Sequence, residues 1–296
     1  MLNDRKKNLI LYHLIVFLYG FTSILGALIS LEAIPIVIYR MLIGALGLAI
    51  FFLITKPIFF RIEKMFLIKI FCSGIILGAH WVTFFYAIKI STISITLSMM
   101  SAGALITAFI DPIFNRKKIS FYEILFGSIT IVGIIVIYRA EFQHLRGIII
   151  ALFSAFLSSL FTILNRSLVK KNNFLTLSFY ELLIGGVVCL IFYLVINEFN
   201  LSDFEPKGFD FFWILILGLI CTSYAFNVTI KVLRYLSSFT VMMIINLEPI
   251  YGIILSILIW KDKAFLSFNF YIGFLIVLSS IFMNAIYKRN KVIKIT

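Results

Sequence analysis

Residues 34–54, IPIVIYRMLIGALGLAIFFLI, carry one charged side chain, Arg40, over a length that crosses a bilayer. A helix rises 1.5 Å per residue, so about 20 apolar residues match a hydrocarbon core ~30 Å thick. Stretches of the same kind recur at 9–28, 70–88, 92–114, 121–138, 147–165, 174–196, 211–230, 238–260 and 268–287. Hydrocarbon offers backbone N–H and C=O groups no partner, so each stretch must satisfy its own backbone as a helix. The two-residue alternation of membrane β-barrel strands is missing. The expected fold is an all-α integral membrane bundle of ten transmembrane helices.

Composition leaves no room for a separate soluble domain: 62% of the 296 residues are hydrophobic and 13% charged, against about a quarter charged in soluble chains. The first residues, MLNDRKKN, precede an apolar stretch too long for a signal-peptide core, so retention of the N-terminus is expected. The net charge of +13 raises nucleic acid as a partner, and its distribution excludes that reading. When connections are assigned alternately to two sides, 19 Lys and Arg fall on the N-terminal side and 6 on the other, with Arg40 inside a span. Lys and Arg accumulate in cytoplasmic loops, which places both termini in the cytoplasm and the chain in the cytoplasmic (inner) membrane. Cys72, Cys189 and Cys221 lie in apolar segments without metal or redox spacing and read as small packing residues.

The quoted stretch has an echo. At a shift of 141, Tyr39, Leu42, Ile43, Gly44, Phe51 and Leu53 meet Tyr180, Leu183, Ile184, Gly185, Phe192 and Leu194. At a shift of 146, Phe66, Ile68, Ile70, Thr83, Ser91, Lys117 and Gly127 meet Phe212, Ile214, Ile216, Thr229, Ser237, Lys263 and Gly273. The difference of five falls in one loop, nine residues at 56–64 against fourteen at 197–210. The chain therefore divides into residues 1–142 and 143–296, five spans each. Five is odd, so the second half must cross in the opposite sense: two inverted five-helix repeats, an architecture that places a substrate site near the midplane between the halves.

Motifs along nearly the whole chain resemble the drug/metabolite transporter superfamily, specifically its ten-helix members with two EamA-type repeats. Tyr19-Gly20-Phe21-Thr22-Ser23 resembles the family's Trp-Gly start with Tyr for Trp, and Pro35 and Arg40 match its second helix. AHWVTFFYAIK, Ala79 to Lys89, followed by Ser91-Thr92-Ile93-Ser94, is similar to its aromatic third helix and small-residue turn; Leu247-Glu248-Pro249 matches its ninth-helix motif. The first repeat departs from the second, with Ala102-Gly103 opposite Glu248-Pro249, and Asn115-Arg116-Lys117 replaces the acidic residue that often closes the fourth helix. The resemblance implies secondary transport, often export of amino acids or related metabolites, with no cofactor.

Ionisable residues inside spans are costly, ~2.5–3.5 kcal/mol at a helix centre on insertion scales, and so mark candidate sites. Glu248 is the deepest, and Pro249 beside it removes a backbone donor. Arg40 is placed either to attract a substrate carboxylate or phosphate or to snorkel to the interface. Glu181 is its repeat counterpart, and inversion puts it at the other end of the bundle, out of Arg40's reach. His80 sits mid-helix beside Trp81, with Thr83 a turn on, as a substrate contact, a proton carrier or a packing histidine. Asp111 reads as a local ion pair with Arg116. Polar stripes mark Ser91, Ser94, Ser98 and Ser101 in the fourth span, Ser154, Ser158, Thr162 and Asn165 in the sixth, and Ser223, Tyr224 and Asn227 in the eighth. Tyr12, Tyr19 and Ser23 line the same expected path, and Trp213 and Trp260 are expected interface anchors.

The expected activity is alternating-access movement of a small amphipathic metabolite, an amino acid or relative, with the lipid bilayer as its solvent and a proton or an exchanged metabolite as coupling partner. A multidrug or cation exporter would need Glu248 and tolerate loss of Arg40. A membrane-embedded enzyme would need convergent catalytic or metal-binding groups, and the sequence has no HExxH, no paired intramembrane aspartates and no glycine-rich phosphate loop.

Overall fold

The structure, a computed structural model, describes residues 2–55, 64–114, 121–196, 200–259 and 267–293. Its helices follow the expected order: α1 (Leu2–Leu28), α2 (Ala33–Thr55) and α3 (Lys64–Ile90) form the first three spans. The fourth is split into α4 (Ile93–Met100) and α5 (Ala102–Phe114), and α6 (Phe121–Ala140) is the fifth. In the second half, α7 (Leu145–Leu168) and α8 (Phe174–Ile196) precede an eighth span made of α9 (Asp210–Leu215), a π-helical segment Ile216–Tyr224 and α10 (Ala225–Val232). The ninth is again split, into α11 (Ser238–Ile245) and α12 (Glu248–Ile259), and α13 (Phe268–Ile293) is the tenth. Among the described residues no strand occurs.

Among the described residues, eight segments are long and apolar enough to cross a membrane, and two shorter apolar stretches, Leu125–Ala140 and Phe268–Ser280, occupy the fifth and tenth places. Those two lie in helices of 20 and 26 residues, long enough to span. Large apolar side chains such as Leu53, Ile54, Ile68 and Val195 stand exposed, an arrangement unfavourable in water and suited to lipid tails. The expected anchor Trp260, the Asp111 partner Arg116 and the matched pair Lys117 and Lys263 lie outside the described residues.

Helix contacts show the inversion directly. On α2 and α8, the second and seventh spans, Met41 lies against Gly185 and Phe52 against Phe179, so residue numbers rise on one helix as they fall on the other. Across the split spans Gly103 meets Met242 while Leu97 meets Gly252, again antiparallel. On α6 and α13, Gly133 faces Gly273 and Val277, and Gly273 faces Gly133 and Ile137. Each of these three pairs joins equivalent spans of the two halves. The remaining contacts exchange likewise: α3 packs on α7 as α1 packs on α10, and α3 on α8 as α2 on the π segment. Lipid tails are as apolar as the side chains, so close packing and interhelical hydrogen bonds must hold such a bundle. Ser280 supplies one, donating to the Phe126 carbonyl at 2.9 Å and hydrogen-bonding Thr130.

Polar ties join helix ends on the side of the bundle away from the N-terminus. Ser30 donates from its backbone N–H and its hydroxyl to Asp210, at 3.0 and 2.5 Å, and Lys89 Nζ donates to the Ile29 carbonyl at 2.6 Å.

A Cβ on Gly273 would lie 2.8 Å from the Gly133 carbonyl oxygen, too close for any side chain. Gly273→Val is therefore expected to separate α6 from α13 and destabilise the fold by about 1–3 kcal/mol, as overpacking does. Thermal unfolding of the purified protein in detergent measures this.

Candidate functional site

Both split spans break at the same place in the repeat. Pro249 has no N–H to donate to the Ile245 carbonyl, and α11 ends at Ile245 with Asn246 and Leu247 between it and α12. In the fourth span no proline is needed. The Ser98 hydroxyl donates back to the Ser94 carbonyl at 2.7 Å, and the Ser101 N–H is shared between the carbonyls of Leu97 and Met99. Such back-bonding loosens a helix. The break leaves Ala102 as the first residue of α5, as Glu248 is of α12.

The two breaks border a cavity of about 90 Å³ between the halves, several times the ~10–15 Å³ that one water needs. Leu77, His80, Trp81 and Phe84, one face of α3, form one wall, and Ser158, Phe161 and Thr162 of α7 form another. Tyr12, Tyr19 and Thr22 of α1, Arg40 of α2, and Phe226 and Thr229 of α10 continue it. Met100 and Ser101 come from one break, Ile245, Asn246, Glu248 and Pro249 from the other.

Arg40 does not snorkel. It is 3% exposed, its guanidinium lies 3.7 Å from the Trp81 ring centroid, and its Nε donates to Thr222 Oγ1 at 2.9 Å. A desolvated cation over an indole gains ~2 kcal/mol or more, which helps to hold the charge inside. The π segment supplies the acceptor: Thr222 gives its own proton to the Leu217 carbonyl five residues back, at 2.7 Å, and turns a lone pair to Arg40. Widened π turns of this kind recur at functional sites. Glu248 lines the same cavity as Arg40.

His80 is oriented by α7. Its Nδ1 lies 3.1 Å from the Ser154 carbonyl oxygen and 2.8 Å from Ser154 Oγ. A carbonyl only accepts, and the Ser154 hydroxyl proton is already engaged by the His80 carbonyl at 2.9 Å. Nδ1 therefore carries a proton, and in the neutral ring Nε2 keeps a lone pair. Tyr19 donates to Thr229 Oγ1 at 2.6 Å, since Thr229 gives its own proton to the Ala225 carbonyl. The Tyr12 hydroxyl and both amide atoms of Asn246 are buried without a partner, and buried polar groups at a cavity wall call for a ligand or water.

Six of the sequence candidates thus meet: Tyr19, Arg40, His80, Trp81, Glu248 and Pro249. Five do not line the cavity. Thr83 points away from the α3 wall and bonds the carbonyls of Ala79 and His80 on its own helix, and Ser98 bonds Ser94. Asn165 donates to Ser73 at 2.8 Å, one turn beyond the wall. On the eighth span the inward face is Thr222, Phe226 and Thr229; Tyr224 is 53% exposed, and Asn227, one position round, accepts from Ser178 at 3.2 Å. Arg40 and Glu181 take separate partners, Thr222 and Ser73. Sequence reasoning missed Thr222 and Asn246. The first carries no signal; the second lies two residues before the Glu248-Pro249 pair that breaks its helix.

A ten-span α-bundle whose inverted halves enclose a charged, aromatic cavity defines a polytopic membrane protein built for passage of a small molecule. The model of the EamA-like transporter family matches the chain twice, over residues 6–139 and 145–286. The chain belongs to the EamA-like transporter family. Among solved structures it is similar to one titled only "Crystal structure of protein", at 13% identity and a TM-score of 0.69, covering 93% of this chain and 96% of that one, which shows the fold alone. Among curated proteins nothing matches.

Thr222→Val keeps the shape and removes the acceptor of the Arg40 Nε. Leaving a buried charged donor unsatisfied costs about 1–3 kcal/mol, so the variant is expected to unfold at lower temperature. The same loss measured in the Arg40→Met background should largely vanish, because the donor is gone.

Proposed function

We propose that the chain exports a small zwitterionic metabolite of the amino-acid class by alternating access, with the cavity as its binding site. The observation that supports this most is the pairing of one cation, Arg40, with one carboxyl group, Glu248, on the walls of a cavity otherwise largely apolar and aromatic. An α-carboxylate suits Arg40, and an ammonium group suits Glu248 and the His80 Nε2 lone pair. Trp81, Phe84, Phe161 and Phe226 face the apolar remainder, and Tyr12 and Asn246 offer the unpartnered groups that fix orientation. A cation exporter would use Glu248 and the same rings; the buried Arg40 weighs against it, since a like charge repels that cargo.

Breaks at equivalent places in both halves suit the motion. A split helix bends at its break, and inverted halves can rock about a fixed central site so that each side opens in turn. We infer further that both termini face the cytoplasm, on the 19-to-6 division of Lys and Arg.

Counterflow in liposomes, with a panel of zwitterionic amino acids beside their decarboxylated and deaminated analogues, tests the reading. Zwitterions should move and the analogues should not, and Arg40→Ala should weaken half-saturation about 10- to 100-fold, the worth of a charge-assisted hydrogen bond. Glu248→Gln should cost a similar factor. Movement of amines alone, indifferent to Arg40→Ala, would replace the reading with cation export. Topology has its own check: single cysteines introduced at Asn3 and at residue 292 should resist impermeant thiol reagents in intact cells and react after permeabilisation.

A further inference from the structure

One fully buried carboxyl group plays no part in the cavity. Glu181 on α8, Ser73 on α3 and Asn165 on α7 all have 0% exposure. Ser73 Oγ donates to Glu181 Oε1 at 2.6 Å and accepts from Asn165 Nδ2 at 2.8 Å. Two buried atoms remain unpartnered, Glu181 Oε2 and Asn165 Oδ1. Both are acceptors if the acid is ionised, and two acceptors cannot satisfy each other. A proton on Oε2 turns that atom from an acceptor into a donor and removes the buried negative charge.

The charged and titratable groups on the surrounding helices offer an ionised Glu181 no counter-charge. On α2, Arg40 is held by Thr222 and Trp81; on α3, Lys69 and Cys72 face outward and His80 is bonded to Ser154. On α10, Lys231 lies 5.8 Å from the Phe174 ring centroid. On α7, Arg166 follows Asn165, is half-buried with its Nε unpartnered, and exerts no charge effect on Glu181; on α8 the neighbours are Tyr180 and, two turns on, Cys189. The groups that reach the carboxyl are Ser73 and Asn165 alone among the described residues. Burying a carboxylate without a cation costs several kcal/mol even after relaxation, whereas the neutral acid fits the hydrogen-bonding atoms present.

Position gives the proton a use. Ser73 precedes the wall residue Leu77 by one turn, and Asn165 follows the wall residue Thr162 by three positions. The cluster therefore lies about 6 Å from the cavity, one turn toward the N-terminal end of the bundle. It ties together α3, α7 and α8, helices from both halves that must shift if the cavity opens on that side.

We propose that Glu181 is a proton-binding site that couples transport to the proton gradient, resting on the transport reading above. The acid is neutral while α3, α7 and α8 are closed around it. When they part, water reaches Oε2, the O–H bond breaks and the proton leaves to that water; reclosure requires a proton to return to the same oxygen. No bond to the substrate forms at any stage.

Glu181→Gln tests this with little risk to folding, because its amide keeps an acceptor for Ser73 and, like the protonated acid, is neutral and carries hydrogen on the second atom. In liposomes, counterflow of whichever panel amino acid moves should persist, while accumulation driven by an imposed pH gradient should be lost. Gradient-driven accumulation that survives in Glu181→Gln, wild-type accumulation indifferent to pH, or dependence on sodium instead would each overturn the proposal. Infrared difference spectra of the protein in lipid give a readout that needs no substrate. The carbonyl stretch of a neutral carboxylic acid should disappear in part in Glu181→Gln and remain in Glu248→Gln; a band unaltered by Glu181→Gln would also overturn it. Absence of counterflow in the wild-type protein would instead bring down the transport reading, and the infrared band would still judge the proton site.

Discussion

Hydrocarbon supplies no hydrogen-bond partner, and a chain that crosses it can leave the helical ladder only where the protein itself provides one. The described spans leave it at three places: after Met100, after Ile245 and along Ile216–Tyr224. All three adjoin the central cavity. Ser101 and Asn246 line it, and Thr222 of the π segment holds the arginine that does. The irregular backbone and the polar side chains therefore occupy one volume for one reason, since each needs an environment that is not lipid. Elsewhere the described spans stay helical, with Pro112 accommodated inside α5, and many turn leucine, isoleucine and phenylalanine outward.

The same constraint shapes the contacts between the halves. No hydrophobic force drives helix onto helix in lipid, so equivalent spans approach closely at small residues, Gly133 on Gly273 and Gly185 on Met41. Their antiparallel pairing makes the cavity a shared possession of both repeats, with walls from α1, α2 and α3 facing walls from α7, α10 and α12. In the transport cycle proposed above, a rocking motion of one half against the other changes which end of this volume is open while leaving its lining in place. The hydrogen bonds of Ser30 to Asp210 and of Lys89 to Ile29 join helix ends of the bundle on the side away from the N-terminus.

Much of this was legible in the sequence because lipid imposes composition directly: each span announces itself by what it lacks. The helix ends were less legible. α1 begins at Leu2 rather than near residue 9, since a basic, polar segment can stay helical at the interface. Pro249 advertised one break, whereas the break after Met100 has no proline and shows only through alignment of Ala102-Gly103 with Glu248-Pro249. Of the polar stripe on the sixth span, Ser158 and Thr162 line the cavity and Ser154 holds His80, while Asn165 lies a turn beyond and bonds Ser73. Polar spacing misjudged the eighth by one position, because a π turn shifts the helical phase and nothing in ILGLICTSY marks one. Aromatic lining was invisible for a statistical reason; at 17% aromatic residues, Phe161 and Phe226 stand out no more than the phenylalanines that face lipid.

Arg40 and Glu181 show how far the two halves have diverged within a shared frame. They occupy the same place in the repeat, yet one is a cation stacked on Trp81 at the cavity and the other a carboxyl group sealed between Ser73 and Asn165. The residues equivalent to Arg40's partners do not reproduce them: at the 146-residue shift Trp81 becomes Asn227 and Thr222 becomes Ile76. With identical halves, the state open to one side and the state open to the other would have equal energy by symmetry. Whatever separates them must come from positions where the halves differ, and a buried charge or a buried proton is worth more there than any exchange of leucine for isoleucine. A ligand shifts such an equilibrium only by its differential affinity for the two states. The side chains that read the cargo and the proposed proton are for this reason expected where the repeat is broken rather than where it is kept, and Arg40 and Glu181 are one such position.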